Sequence, residues 1–354
     1  MKSYKSYFTT NRIWGYFRDI LWFPVYIIAK IVPKKDIVIF GAMNGYAIAD
    51  NSKYLFMNTY KKNYFWITKN KSILKIPIMR DICPVYAYSI KGILLQLFAH
   101  QIYYTHRIGD FIPPLVMGGH ITALWHGVPF KKIGAVENIE LQNSVFRNWI
   151  GLVRRRLFPY SYYMYCHEVY CPDEKFYQIF QQCFAKSHPK VMIQQYPRIM
   201  FCPEKKKQRK IIFCPTYRKN RDLMNILQSL GILDNTFIRW LVQNEISLVI
   251  RPHPIDVERI NLNYLPHNIE LDTSKDIYES IRSYPVLLTD YSSLMYDAEC
   301  LGLRVLIIAD DIEEYNEDEN GLFEDFLNNI QKNHSESIYT LLPELEKIFQ
   351  ITHI

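Results

Sequence analysis

The sequence predicts an α/β protein built from two parallel-sheet domains. Its 354 residues exceed the size at which a single hydrophobic core usually stops growing. Short runs rich in valine, isoleucine and leucine alternate along the chain with longer helical stretches. Because these runs are continuously apolar, we expect strands that are buried on both faces, as in parallel sheets. Two such domains would face a cleft at the carboxyl ends of their strands, where open α/β proteins bind ligands.

Composition narrows the classes of protein to which the chain can belong. Hydrophobic residues make up 49% of the sequence, which is enough for two packed cores, and no low-complexity tract or repeat is visible. The seven cysteines are scattered and odd in number, which favours a reducing compartment over a disulfide framework or a zinc site. Much of the net charge of +7 lies near the amino terminus, so we expect no nucleic-acid partner.

Residues 1–35 form a predicted amphipathic segment. The segment carries seven basic residues and one acidic residue, and its apolar and aromatic side chains recur at near-helical spacing. Its longest uncharged run, from Ile20 to Ala29, is too short to cross a bilayer. We expect this segment to lie on an anionic membrane surface. The alternative is a pair of helices packed on the body of the protein.

The first α/β domain is predicted over residues 36–203 and the second over 204–354, with the basic stretch 203–210 as the linker. Each strand candidate is an apolar run of strand length. The candidates in the first domain are residues 36–41, 63–68, 101–106, 121–127 and 190–196. The candidates in the second domain are residues 211–216, 246–254, 285–293 and 304–310.

Polar residues come at the ends of several of these strands. His126 ends a strand of the first domain, while Thr216, His253, Ser292 and Ser293 end strands of the second. Loops at this edge of a parallel sheet carry the functional groups of many α/β proteins. We therefore expect the five side chains to converge on one crevice. Taken alone, each of them would more often be an ordinary packed or capping residue.

The stretch VIRPHPID, residues 249–256, sets Arg251 and His253 two positions apart in extended chain, so their side chains project the same way. Pro252 and Pro254 stiffen this arrangement because proline restricts φ. A guanidinium that is always charged, beside an imidazole that can donate a proton, suits a diphosphate. The pair therefore indicates a phosphate contact.

The stretch LLTDYSSLMYDAECLG, residues 287–302, predicts a strand, a turn and then a helix. Asp290 or Ser292 is the expected N-cap of that helix. Backbone N–H groups at a helix start favour bound phosphate, and the hydroxyls of Ser292 and Ser293 would add donors.

Three more polar residues are candidates for phosphate contacts. Thr216 and Arg218 follow a strand in IFCPTYRKN, and Arg198 lies near the linker in QQYPRIM. The sequence contains no Walker phosphate loop, no GxGxxG, no HExxH and no Asp-x-Asp pair, and the acidic run 310–319 is interpreted as a solvated face. We therefore expect no metal ion and no cofactor, with protein cations neutralising the phosphate charge.

The motifs WHGVPFKKIG, YPR, CPTYR, RPHP and DYSSLMYD occur in this order along the chain. Together they closely resemble the CDP-glycerol glycerophosphotransferase family, which contains teichoic acid polymerases and primases. The stretches ADNSKYLF (49–56) and DDIEEY (310–315) also resemble family segments. The resemblance runs from about residue 36 to residue 325.

This resemblance implies a GT-B-like pair of Rossmann domains attached peripherally to the inner face of the cytoplasmic membrane. It implies transfer of glycerol phosphate, or a similar polyol phosphate, from a CDP-activated donor to a hydroxyl of a lipid-linked or oligosaccharide acceptor. CMP would be released, in the synthesis of teichoic acid or a teichoic-like capsule.

Matched residue by residue, the resemblance places the catalytic base on His126, and His253 would assist the leaving phosphate. The contacts to the donor that the resemblance implies fall on residues of the second domain, which are Thr216, Arg251, His253, Ser292, Ser293 and Asp297. Arg218, which follows the same strand as Thr216, is a further candidate for a donor contact. Candidates for steering an anionic acceptor or a phosphate are Gly127, Lys131, Lys132 and Arg198.

Two other functions stay open at this point. A GT-B glycosyltransferase that uses a nucleotide-sugar would also need phosphate-binding loops in its second domain. A non-catalytic, membrane-bound scaffold could keep the fold, but it would release no nucleotide from any donor.

Overall fold

A computed structural model gives the structure of residues 12–137, 145–253, 256–257, 265–266, 268–318 and 321–351. The predicted segment 1–35 is therefore described from Arg12 onward, and Pro254 lies outside these ranges. The described residues form two parallel sheets, each within its own compact unit.

Seven strands form the sheet of the first unit. They are β1 (Lys35–Phe40), β2 (Tyr64–Thr68), β3 (Val85–Tyr86), β4 (Ala99–Tyr104), β5 (His120–Ala123), β6 (Glu168–Cys171) and β7 (Lys190–Ile193). All neighbours pair in parallel, in the order β3-β2-β1-β4-β5-β6-β7. This is the strand order of a Rossmann-type sheet, whose topological switch point lies between β1 and β4.

The structure describes the following α-helices along the same stretch of chain. They are α1 (Arg12–Ile31), α2 (Asp50–Thr59), α3 (Ile90–Phe98), α4 (Pro113–Val116), α5 (Val145–Leu157), α6 (Tyr177–Phe184) and α7 (Pro197–Met200). The last of them, α7, crosses into the second unit at Ile199. Aromatic rings fill part of the core between the sheet and the helices. The ring centroid of Phe56 lies 5.2 Å from that of Phe40 and 5.9 Å from that of Trp66, and both pairs are arranged edge to face.

Helix α1 is held to the first unit by a buried ion pair. Asp19 is 1% exposed, and its Oδ2 lies 2.6 Å from Nη2 of Arg154 on α5. The Tyr26 ring packs 5.3 Å from the ring of Tyr160. The described part of the predicted membrane segment is thus a helix packed on the protein, with a second face that is exposed. No helix within the described ranges is long and apolar enough to span a membrane.

Six strands form the sheet of the second unit. They are β8 (Lys210–Cys214), β9 (Ser247–Ile250), β10 (Ile269–Leu271), β11 (Val286–Thr289), β12 (Arg304–Ile308) and β13 (His334–Ser335). They too are parallel, in the order β10-β9-β8-β11-β12-β13. This order repeats the Rossmann pattern, with the switch point between β8 and β11.

Within the described part of the second unit, six α-helices accompany this sheet. They are α8 (Leu223–Ser229), α9 (Asn235–Gln243), α10 (Leu294–Cys300), α11 (Ile312–Asp318), α12 (Glu324–Asn333) and α13 (Ile338–Phe349). Asp222 caps α8 by accepting from the N–H of Asn225 at 2.9 Å. Apolar side chains from β8, β9 and β11, among them Phe213, Leu248 and Leu288, form one buried cluster with α8, α9 and α13.

The division between the units falls near the predicted boundaries but not on them. The first unit reaches His126 and resumes at Gly134–Arg198, so the predicted boundary at residue 203 is a few residues late. The second unit begins at Ile199 because the chain already packs there: Cys202 Sγ donates to the carbonyl of Tyr278 at 3.3 Å.

A short segment inside the predicted first domain belongs to the second unit. This segment is Gly127–Ile133. The ring of Phe130 stacks on Phe326 at 4.0 Å, and the N–H of Lys132 donates to the carbonyl of Gly321 at 2.9 Å. These contacts could not be read from sequence because their partners lie almost two hundred positions away.

Every predicted strand is present, although several end earlier than expected. The candidates 121–127 and 246–254 stop at Ala123 and Ile250, where the backbone leaves the sheet. Four strands were missed, namely β3, β6, β10 and β13. Three of these have only two or three residues, and β6 alternates buried and half-buried positions, so none forms a continuous apolar run.

Candidate active site

His126 lies at the carboxyl edge of the first sheet, three residues beyond the end of β5. The sequence predicted that this strand continues to Gly127, but the chain turns instead, with φ of 56° at Trp125 and 147° at Gly127. A positive φ is rare for a tryptophan and costs about 1–3 kcal/mol. The surrounding contacts must therefore hold this turn in place.

Two rings enclose the half-buried imidazole of His126. The ring of His106, which follows β4, stacks on it with centroids 4.4 Å apart and planes 6° apart. The indole of Trp125 lies 4.3 Å away and is tilted by 45°. His126 Nδ1 is 3.1 Å from the backbone carbonyl of Thr105, which can only accept, so Nδ1 carries the proton. The lone pair of the neutral ring is therefore on Nε2.

The surroundings keep His126 neutral at physiological pH. Desolvation lowers its pKa, the Asp50 carboxylate and the Thr105 carbonyl raise it, and two nearby guanidinium groups lower it, with a net shift below the ordinary value. Desolvation also lowers the pKa of His106, to about 3, so the stacked ring is neutral as well. A neutral imidazole with an open Nε2 can accept a proton from a substrate hydroxyl.

Asn51 fixes the backbone of the turn that carries His126. It is fully buried near the start of α2, after Asp50, whose φ is 62°. Its amide nitrogen donates to the carbonyls of Leu124 and Trp125, at 3.3 and 2.7 Å. Its amide oxygen accepts from the N–H of Arg198 at 3.1 Å. One side chain thus connects three separate stretches of the first unit.

Arg198 is 4% exposed, and its guanidinium is held within the first unit. Its Nη1 lies 2.6 Å from Asp50 Oδ1 and 3.1 Å from the carbonyl oxygen of His126. The structure therefore gives Arg198 a supporting contact to the His126 turn. Its role in steering an anionic acceptor or phosphate stays a prediction.

The other steering candidates lie in the short segment that belongs to the second unit. Lys131 places Nζ 4.6 Å from the ring centroid of Tyr315, and Lys132 is half-buried beside Gly321. Gly127 provides the unusual φ that ends the turn. Steering of a substrate by these residues stays a prediction.

Asp290 is the centre of a polar group in the second unit. It follows β11, is 2% exposed, and accepts from the N–H of Thr216 at 2.9 and 3.0 Å and from the N–H of Tyr291 at 2.6 Å. The hydroxyl of Thr216 also donates to it. The prediction that Asp290 caps the following helix is therefore wrong, because its carboxylate is used to join the loops after β8 and β11.

Arg218 lies between two carboxylates and two tyrosine rings. Its Nη2 is 3.0 Å from Asp290 Oδ2, and its Nε is 2.8 Å from Asp311 Oδ2. Its guanidinium lies 4.7 and 4.5 Å from the ring centroids of Tyr291 and Tyr315. The interpretation of the acidic run as a solvated face is wrong for Asp311, whose side chain is 7% exposed because it pairs with Arg218.

Arg251 is anchored after β9. Its Nη1 lies 2.6 Å from Asp272 Oδ2 and 2.9 Å from Ser274 Oγ. The ring of His253, two residues on, lies 5.6 Å from that of Tyr217. Desolvation, followed by the charge of Lys131, lowers the pKa of His253. His253 is therefore neutral at physiological pH and can donate a hydrogen bond from a ring N–H.

The predicted serine pair lies at the start of α10. Ser293 occupies the N-cap position without a capping bond from its side chain, whereas Ser292 Oγ accepts from the N–H of Leu294 at 3.2 Å. Asp297, one turn further, is fully buried and accepts from the hydroxyl of Tyr278. Contacts from these residues to a donor stay a prediction.

Sequence reasoning missed three residues that complete these groups. Asp50 and His106 surround His126, and Asp311 pairs with Arg218. His106 and Asp311 follow β4 and β12, and Asp50 begins α2, so the signal was available in the segments 49–56, 101–106 and 310–315. The assignment depended on contacts that only the fold provides.

The structure brings the predicted residues together in two groups, one at the carboxyl edge of each sheet. Their convergence on a single crevice stays a prediction. Among the residues whose positions are given, no three His, Cys, Asp or Glu side chains are arranged to hold a metal ion. The expectation that the chemistry needs no metal or cofactor also stays a prediction.

Two Rossmann-type sheets, one with a neutral histidine at its edge and one with a buried arginine–carboxylate group, define a GT-B-like α/β protein. The chain belongs to the family described as CDP-glycerol:poly(glycerophosphate) glycerophosphotransferase, which matches residues 25–352. Family and fold class are therefore those that the motifs predicted, and the chain is a transferase.

Two relatives are similar to this chain along most of their length. The teichoic acid poly(glycerol phosphate) polymerase of Bacillus spizizenii is 23% identical over 85% of this chain and 81% of its own. The teichoic acid glycerol-phosphate transferase of Staphylococcus aureus is 22% identical over 90% of this chain and 85% of its own. Among solved structures, the wall teichoic acid polymerase TagF has a TM-score of 0.66, at 17% identity, over 97% of this chain and 90% of that one. This last likeness establishes the fold.

Proposed function

We propose that the chain transfers glycerol phosphate from CDP-glycerol to a hydroxyl of a membrane-linked or glycan acceptor and releases CMP. Membership of the glycerophosphotransferase family supports the donor and the reaction. The names of the two relatives support a place in the synthesis of teichoic acid or a similar polymer. The acceptor is the part of this proposal that rests on the resemblance alone.

One observation carries the proposed mechanism: His126 is neutral, with Nδ1–H bound to the Thr105 carbonyl and the lone pair on Nε2. In the reaction, Nε2 takes the proton of the acceptor hydroxyl. The acceptor oxygen then attacks the β-phosphorus, and the bond from this phosphorus to the bridging oxygen breaks as CMP leaves. Positioned general-base assistance contributes about 10²- to 10⁴-fold to such a step.

The second unit would bind the donor at the carboxyl edge of its sheet. Arg251 supplies a fixed positive charge, held by Asp272, and His253 supplies a neutral hydrogen-bond donor. The hydroxyls of Ser292 and Ser293 lie at the start of α10, after β11. Donors that are held in place stabilise the charge on a leaving phosphate without reorganising, and this is often the largest contribution to a rate.

The substitution His126→Asn tests the role of the base. The asparagine amide can keep a donor close to the Thr105 carbonyl but has no group equivalent to Nε2, so we expect turnover to fall about 10²- to 10⁴-fold while CDP-glycerol binding is retained. CMP release measures turnover, and calorimetry measures binding. His100→Asn is the matched control because His100 is exposed on β4. Wild-type turnover in His126→Asn would remove His126 from the mechanism.

A donor screen tests the reaction itself. We expect CMP from CDP-glycerol, or from CDP-ribitol if the polyol differs, in the presence of a lipid-linked acceptor extract. Release of UDP from UDP-sugars would instead identify a nucleotide-sugar glycosyltransferase. An absence of nucleotide release with every donor would identify a non-catalytic scaffold.

We also propose that α1 attaches the protein to an anionic membrane surface. Apolar side chains on its outer face are exposed, namely Phe17, Ile20, Leu21, Ile28 and Ile31, and the most exposed of them reaches 73%. On α5, which pairs with α1 through Arg154, Trp149 and Leu152 are exposed and further arginines follow in the last turn. An apolar face beside basic side chains suits the headgroup region of an anionic bilayer.

The double substitution Ile20→Glu with Leu21→Glu tests this attachment. Burying one such side chain contributes about 1.5–3 kcal/mol, so we expect at least a tenfold fall in binding to phosphatidylglycerol vesicles, measured by sedimentation. Val242→Glu is the control, since Val242 is equally exposed on α9 of the second unit. Unchanged vesicle binding by the double variant would exclude α1 as the attachment.

A further inference from the structure

We propose that Asp50 and Arg198 are positioning residues for His126, and that their opposed charges set how readily its imidazole accepts a proton. This role needs no contact between either residue and the substrate. Each would act through the electrostatics and the backbone of the His126 turn. The inference rests on the proposed role of His126 as the base.

The contacts connect the three residues directly. Arg198 Nη1 donates to Asp50 Oδ1 at 2.6 Å and to the carbonyl oxygen of His126 at 3.1 Å. The side chains of Asp50 and Arg198 are 12% and 5% exposed, so little solvent screens their charges. Asn51, next to Asp50, holds the carbonyl of Trp125 at 2.7 Å. The start of α2 therefore fixes both the charge beside the imidazole and the turn that presents it.

Among the described residues, four charged or titratable groups, namely Asp50, Arg198, Arg107 and His106, influence the protonation of His126. Asp50 raises its pKa, Arg198 and Arg107 lower it, and protonation of either His106 or His126 disfavours protonation of the other. Burial raises the pKa of Asp50, but the adjacent Arg198 guanidinium, and either histidine when it is protonated, lower it, so that the pKa of Asp50 lies below its ordinary value. Asp50 is thus a carboxylate, and His106 is neutral, at physiological pH.

This arrangement matters at the moment when the base becomes charged. When Nε2 takes the proton of the acceptor hydroxyl, an imidazolium forms between the rings of Trp125 and His106. The Asp50 carboxylate compensates the new charge, while Arg198 limits how far it does so. Asp50 and Arg198 together would therefore leave the imidazole unprotonated before the reaction, and Asp50 would still provide a counter-charge when the imidazolium forms.

Opposite substitutions in the ion pair test the inference. We expect Asp50→Asn to move the titration midpoint of His126 to lower pH, and Arg198→Met to move it to higher pH. In the double variant the two effects should largely cancel. A nearby opposite charge typically changes a protonation equilibrium by about tenfold. Because turnover follows the strength of a general base only in part, we expect Asp50→Asn to lower turnover by up to about tenfold.

The measurement is proton NMR of the imidazole Cε1–H across pH, with the His126 signal assigned by its loss in His126→Asn. It is paired with the pH profile of CMP release. Arg198→Lys and Asp50→Glu keep the charges and should keep the midpoint close to that of the wild type. Loss of packing alone would not move the two neutralised variants in opposite directions.

The inference is overturned if Arg198→Met and Arg198→Lys share one midpoint, or if the two neutralised variants shift the same way. If Asp50→Asn does not fold, the comparison between Arg198→Met and Arg198→Lys decides. Failure of the proposed function is distinguishable, because His126→Asn would then retain turnover whatever the titration of His126 shows.

Discussion

Replacement of Arg218 by methionine should lower the stability of the second unit and leave the stability of the first unit unchanged. Methionine fills much of the same space but leaves Asp290 and Asp311, which are 2% and 7% exposed, without their shared cation. Breaking a buried ion pair by removing one partner costs about 3–5 kcal/mol. Contacts to two tyrosine rings are lost as well. We expect a loss of about 4 kcal/mol, a large part of the stability of an ordinary domain.

Native-state hydrogen exchange is the appropriate assay, because two units need not unfold together. The opening free energy of amides in β8 and β11 should fall by about 4 kcal/mol, while amides of β1 and β4 serve as the internal control. Arg218→Lys keeps the charge but cannot form the forked contacts, so its loss should be smaller. Protection of β8 and β11 within about 1 kcal/mol of wild type in Arg218→Met would refute the reasoning.

Two further predictions concern single side chains. Burial raises the pKa of Asp110 to about 7, above the ordinary 3.8, so its contribution to stability is full below pH 3.8 and is lost as pH rises through 7. Asp110→Asn should therefore gain about 2–3 kcal/mol relative to wild type between pH 5 and pH 8, measured by urea unfolding, and a constant difference would contradict this. His253→Ala should weaken the binding of CDP-glycerol and lower turnover, since the same side chain would contact the bound donor and the leaving phosphate. Calorimetry measures the binding and CMP release measures the turnover. If neither quantity changes, His253 is not part of the donor site.

The parallel sheets could be predicted because strands that are buried on both faces have continuous apolar runs in their sequence. Strands such as β1, β8 and β11 have continuous apolar runs. β1 was placed to within one residue at each end, whereas β8 ends two residues and β11 four residues earlier than predicted. Edge strands of two or three residues have no such apolar run, because pairing with one neighbouring strand does not require an apolar sequence. Those strands exist only through the register that the sheet imposes on them.

The sequence predicted which residues lie at the candidate site, but it did not predict which side chains they contact. His126, Thr216 and Ser292 were recognised because each follows a strand. The ion pair that faces His126 joins Asp50 to Arg198 across 148 positions, and the pair that holds Arg218 joins it to Asp311 across 93. No local pattern contains this information, since charged residues near loops are usually solvated.

By itself, the sequence determined the fold class and the family, and it selected His126 as the proposed base. Hydrophobic patterning and the order of motifs are properties of the sequence, so they can be recognised without a structure. Only the tertiary structure decided that His126 stands in a strained turn, that its proton is on Nδ1, and that Asp50 and Arg198 oppose one another beside it. Tautomers, buried charges and their balance depend on which distant residues meet, and folding alone brings them together.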